Sequence, residues 1–80
     1  MDLVELTKYL VSNLVDDKEN IQINLIDEYS VKIVQVLVSE NDISKVIGKS
    51  GNIANSIRTI VQAAAYHNKL GHVRINIDTL

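Results

Sequence analysis

Two helical patterns in this chain meet at a four-residue break, Gly48-Lys49-Ser50-Gly51. Ile43, Val46 and Ile47 run up to it, and a long amphipathic pattern starts at Asn52. So short a break forces the two helices into a tight corner. Glycine at both ends supplies backbone with φ > 0 and lets another molecule come close, because no Cβ stands in the way. The second helix offers unpaired N–H groups and a partial positive charge at its start. With Lys49 beside them, these donors make a place to hold a phosphate backbone.

The flanking patterns define the frame around this corner. Asp2 to Val15 reads as a helix, with Leu3, Leu6, Leu10 and Leu14 on one stripe and Val4, Val11 and Val15 beside it. Asp16-Asp17-Lys18-Glu19-Asn20 reads as a solvated polar corner. Ile21 to Leu25 alternates with period two, as a half-buried strand does. Asp27-Glu28-Tyr29-Ser30 reads as a turn, and Val31 to Val38 as a central strand rich in β-branched residues. Asn41 or Asp42 is placed to cap the short helix that holds Ile43, Val46 and Ile47. The long helix spans about Asn52 to Asn68, with Ile53, Ile57, Ile60, Val61 and Ala64 predicted as its core face. Gly71 marks the exit. Val73, Ile75 and Ile77 then alternate along a last strand. The simplest packing of this αββααβ order is one α/β (α+β) domain over residues 1–80. It has a three-stranded mixed sheet with three helices on one face, and its middle and last strands lie side by side and parallel.

The formal net charge of −2 hides a division along the chain. Residues 1–42 carry nine acids and three bases, whereas residues 43–80 carry Lys45, Lys49, Arg58, Lys69 and Arg74 against Asp78 alone. A polyanion is therefore expected to prefer the half that holds the glycine loop. The absence of cysteine removes disulfides, thiolate metal sites and a thiol nucleophile, and fits a cytoplasmic location. The acidic start, Met1-Asp2-Leu3-Val4-Glu5, has no signal-peptide character, and no apolar run approaches the ~18 residues of a membrane span. Gly48-Lys49-Ser50 also looks like the end of a nucleotide-binding P-loop, but that motif needs a glycine where Ile43 stands and a strand before it. His67 and His72 have no cysteine or carboxylate cluster around them, so no metal, cofactor or catalytic constellation is predicted, and the chain is read as a non-enzyme.

Val46 through Ile60, written VIGKSGNIANSIRTI, resembles the signature of KH domains, which hold single-stranded RNA. The segment order is similar to the type II KH arrangement over essentially the whole chain. Length and order together resemble the small stand-alone bacterial KH proteins of the KhpA type. The family pattern of an aspartate, a Gly-Lys-x-Gly loop and an Ile-Arg pair falls on Asp42, Gly48 to Gly51, and Ile57-Arg58. Many relatives carry arginine where this chain has Asn52, which weakens the electrostatic grip. The resemblance implies a clamp for single-stranded RNA made by Gly48, Lys49, Ser50, Gly51 and Asn52, with Lys45 and Arg58 nearby. Backbone N–H groups near Ser50, Gly51 and Asn52 are expected to face phosphate oxygens. About three phosphate contacts would give a log–log salt slope near −2.

On the helical wheel, Asn55, Thr59, Gln62 and Tyr66 fall opposite the predicted core stripe, and an exposed aromatic there can anchor a partner. The resemblance implies self-pairing or pairing with a larger KH-containing protein of the KhpB kind. It also implies RNA-chaperone or post-transcriptional action, linked to cell-wall growth and cell shape. The alternative reading is a protein-interaction module whose loop touches no nucleic acid.

Overall fold

The computed structural model describes residues 2–80. The chain forms α1 (Leu3–Ser12), β1 (Gln22–Glu28), β2 (Val31–Val38), α2 (Ile43–Ile47), a single 3₁₀ turn (Lys49–Gly51), α3 (Asn52–His67) and β3 (Val73–Thr79). The expected order is present throughout. The sheet runs β1-β2-β3, with β1 antiparallel and β3 parallel to β2. The β2–β3 connection through α2 and α3 is what brings those strands together in parallel.

The core is valine-rich because β2 feeds one face of it. Val34, Val36 and Val38 point inward, joined from β3 by Val73 and Ile75. All three helices cover that face, through Leu3, Val11 and Val15 on and after α1, Val46 on α2, and Ile57, Val61 and Ala65 on α3. The opposite sheet face is open and carries the Asn24–Gln35 side-chain hydrogen bond at 3.3 Å.

Four local expectations are corrected. Helix α1 stops at Ser12 rather than Val15, and its buried line is Leu3, Thr7 and Val11, with Leu6 and Leu10 at the rim. Thr7 tolerates burial because its hydroxyl donates to the Leu3 carbonyl at 2.7 Å. Asp2 caps this helix, accepting from the Val4 N–H at 2.8 Å. The expected four-residue turn shrinks to Tyr29-Ser30, since Asp27 and Glu28 pair with Lys32 and Val31 as strand residues. The Asp27–Lys32 ion pair at 3.0 Å supports that register.

The third correction concerns α3. Its buried line is Ala54, Ile57, Val61 and Ala65, while Ile60 is 46% exposed. At ~100° per residue, the inward arc is turned by about 60° from the apolar stripe read in the sequence. Two of these four residues are alanines, whose small side chains permit close packing. Fourth, Asp42 occupies the start of α2 but makes no side-chain capping bond to it. Its carboxylate is directed elsewhere.

Candidate nucleic-acid interface

Gly48 ends α2 with φ 77° and ψ 178°, a conformation that belongs essentially to glycine. A Cβ here would lie 2.4 Å from the Asn52 Oδ1 and 2.6 Å from the Ile53 Cγ1. Glycine is therefore required on two independent grounds. Ser50 (φ 57°) and Gly51 (φ 77°) then adopt left-handed backbone, which completes the reversal into α3. Ser50 is a non-glycine residue held in that region, a strained choice that the surrounding corner maintains.

The corner redistributes its own donors. The Gly51 N–H donates to the Gly48 carbonyl at 3.2 Å, and the Asn52 N–H to the Lys49 carbonyl. Two of the three donors expected to face a phosphate are thus used internally. The N–H groups of Lys49 and Ser50 make no internal hydrogen bond among the described residues, and both side chains are exposed. The presented surface is Lys49-Ser50, with Ile47, 36% exposed, beside it as an aliphatic shelf.

Lys45 has a different environment. Its ammonium pairs with the Asp16 carboxylate and, at 3.2 Å, with Asp42. Both carboxylates, Asp16 foremost, raise its pKa above the usual 10.5. Asp42 is the hub of this corner. Its Oδ2 accepts from the Asp17 N–H at 3.0 Å and the Ser39 hydroxyl at 3.2 Å, and its Oδ1 from the Asp16 N–H at 3.2 Å. The Asp17 N–H foremost, then the Asp16 N–H and Lys45, hold its carboxyl down to about 2 against a desolvation effect of opposite sign. The Asp16–Asp17 segment is therefore a tether between the end of α1 and the start of α2, not only a solvated corner.

Arg58 is set apart from the loop as well. It stands about 9 Å along the α3 axis from Asn52. Its Nη1 donates to the Asn55 Oδ1 at 3.1 Å and its Nε to the Ile75 carbonyl at 3.4 Å. Gln62 completes the same arrangement: its Nε2 donates to the Gly71 carbonyl at 2.9 Å, and its Oε1 accepts from the Val73 N–H at 3.0 Å. These two side chains cover part of the free edge of β3, which otherwise offers unpaired backbone groups. The structure thus brings Arg58 into one shallow groove with Thr59, Gln62, Tyr66 and Arg74. Tyr66 is 59% exposed there. Ile60, assigned to the core by its spacing, joins Asn55 and Thr59 on the outer surface of α3. Nothing in the local sequence distinguished it from Ile57.

Comparison with known proteins fits this geometry. A KH-domain family model described as KhpA/KhpB matches residues 4–77. The chain belongs to the KhpA/KhpB KH-domain family. It is 40% identical over 75 residues to the RNA-binding protein KhpA of Oceanobacillus iheyensis, covering 94% of this chain and 96% of that one. It is 45% identical over 62 residues to RNA-binding protein KhpA of Clostridium perfringens, covering 76% of this chain and 81% of the relative. For RNA-binding protein KhpA of Chlamydia pneumoniae the identity is 32% over 76 residues, covering 95% and 94%. No solved structure matches the chain. As a KhpA/KhpB family member, it carries the Gly-x-x-Gly corner in a geometry that only glycine permits at its first position.

Proposed function

We propose that this chain binds single-stranded RNA by clamping its backbone at Gly48-Lys49-Ser50-Gly51. The observation that carries the reading is the loop itself. Gly48 is locked in a glycine-only conformation, and the turn it starts leaves the Lys49 and Ser50 N–H groups and the Lys49 ammonium without a partner among the described residues, at the start of α3. The relatives named as RNA-binding proteins support the same reading. The charge count is lower than the sequence suggests, because Lys45 is held by carboxylates. Lys49 alone at the loop gives a salt slope of about −0.7, and a strand that continues along α3 to Arg58 gives about −1.4, against about −2 for three contacts. Affinity for one domain is low, and base discrimination is poor without an aromatic platform beside the loop.

The test is Lys49→Asp combined with Ser50→Asp, followed by RNA crosslinking in cells. A variant that keeps its circular dichroism and loses RNA supports the clamp. A folded variant that crosslinks as well as the unaltered protein rejects it, and leaves the protein-interaction reading.

A low single-domain affinity is offset when two domains act together through effective concentration. The outer surface of α3 is the proposed contact, with Tyr66 and Ile60 exposed on it beside Asn55 and Thr59. Gln62 contributes less, since its amide is used within the fold. The partner is a second copy or a larger KH-containing protein, in the cytoplasm, with RNA-chaperone or post-transcriptional action and a link to cell-wall growth and cell shape. Tyr66→Ala is expected to lower the solution mass, and an unchanged dimer would exclude this surface.

A further inference from the structure

Lys45 stands on α2, four residues before Lys49 and across the Gly48 break, and is the nearest other cation in the chain to the loop. Its two carboxylate partners differ in kind. Asp42 is buried and holds three other donors: the Asp16 N–H, the Asp17 N–H and the Ser39 hydroxyl. Asp16 has its side chain 84% exposed, and its carboxylate holds nothing but Lys45 among the described residues. One partner is fixed by the fold, and the other is a solvent-screened ion pair of the weak kind.

We infer that Asp16 is an electrostatic brake on the RNA clamp: it competes with RNA phosphate for the Lys45 ammonium. The inference rests on the loop being the RNA site. An incoming phosphate meets a lysine already neutralised, so Lys45 adds little to affinity in the resting protein. Neutralising Asp16 frees part of that charge without loosening the corner, because the Asp16 N–H that binds Asp42 belongs to the backbone. The neighbouring Asp17 is a matched control. It carries the same charge one residue away, but its carboxylate accepts from the Asn20 amide at 2.7 Å and does not touch Lys45.

Fluorescence anisotropy with a labelled oligouridylate of about twelve nucleotides, titrated at several salt concentrations, tests this. Asp16→Asn is expected to bind about two- to fivefold tighter at low salt. Its log–log slope steepens by up to about 0.7, the share of one added phosphate contact. Asp17→Asn stays within about 1.5-fold of the unaltered protein, as screening predicts for a charge without a partner at the site. Lys45→Met in the Asp16→Asn background removes the gain. Equal tightening by Asp16→Asn and Asp17→Asn would overturn the brake, since it would show a general charge effect. So would a Lys45→Met loss as large as that of Lys49→Met in the otherwise unaltered protein. RNA binding with a flat Asp16→Asn response defeats the brake alone. No RNA binding by the unaltered protein defeats the brake and the loop reading together.

Discussion

The two ends of α2 are fixed by opposite means. At its start, Asp42 gathers two backbone N–H groups, a hydroxyl and a lysine around one buried carboxylate. At its end, Gly48 works by having no side chain, because Asn52 and Ile53 occupy the space a Cβ needs. The first end is saturated with internal contacts, and the second leaves N–H groups and a lysine without partners among the described residues. Between them lie five residues of helix, so the saturated end is what holds the presenting end in place. A short helix has too few internal hydrogen bonds to be stable alone, and its position must come from tertiary contacts.

The largest effect is expected at the glycine end. Gly48→Ala introduces both a backbone strain and a collision, for a loss of about 2–4 kcal/mol. Gly51→Ala has the same φ of 77° but open space around its Cβ, so only the left-handed penalty of about 1–2 kcal/mol applies. Urea unfolding of the two variants separates collision from strain. Equal losses would mean that the contacts at Gly48 relax freely and the contrast between the ends is weaker than drawn.

The acid limb of stability probes the other end. The Asp42 carboxyl sits at about 2 in the folded chain against a usual 3.8. A depressed folded pKa means that the unfolded chain takes up the proton first. The contribution is therefore whole above about pH 4–5 and is lost as the pH falls from 3.8 toward 2. Urea midpoints measured across that window are expected to fall more steeply in the unaltered protein than in Asp42→Asn, which starts lower. Parallel curves would show that Asp42 is not the hub.

These two ends also show what a sequence reveals. The order of elements was legible because each strand and helix carries its own period, and β2 was read from Val31 to Val38 with both ends correct. The glycine corner was legible because a turn with φ > 0 needs glycine locally. The Asp42 hub was not, because Asp16 lies 26 residues away and exposed acids in a row look like solvation. Ile60 escapes the sequence for a related reason. The stripes Ile53-Ile57-Ile60-Ala64 and Ala54-Ile57-Val61-Ala65 overlap on the wheel, and only packing against the sheet selects between them. The resemblance puts Lys45 and Arg58 near the loop, whereas folding supplies each with a closer partner.

The smallest effect compares the lysines themselves. Lys49 has no partner among the described residues, so Lys49→Met is expected to change stability by less than about 0.5 kcal/mol. Lys45→Met removes the counter-charge of Asp42 and should lower the thermal midpoint measurably at low salt. In about 1 M sodium chloride the Asp16 share of that difference fades, because the pair is exposed, while the share from buried Asp42 persists. The raised Lys45 pKa adds an alkaline signature. Its contribution is present below 10.5 and is lost as the pH rises through the higher folded value, so the gap between the two variants should close there. A gap that ignored both salt and alkaline pH would mean that the lysine stem, rather than its charge, stabilises the corner.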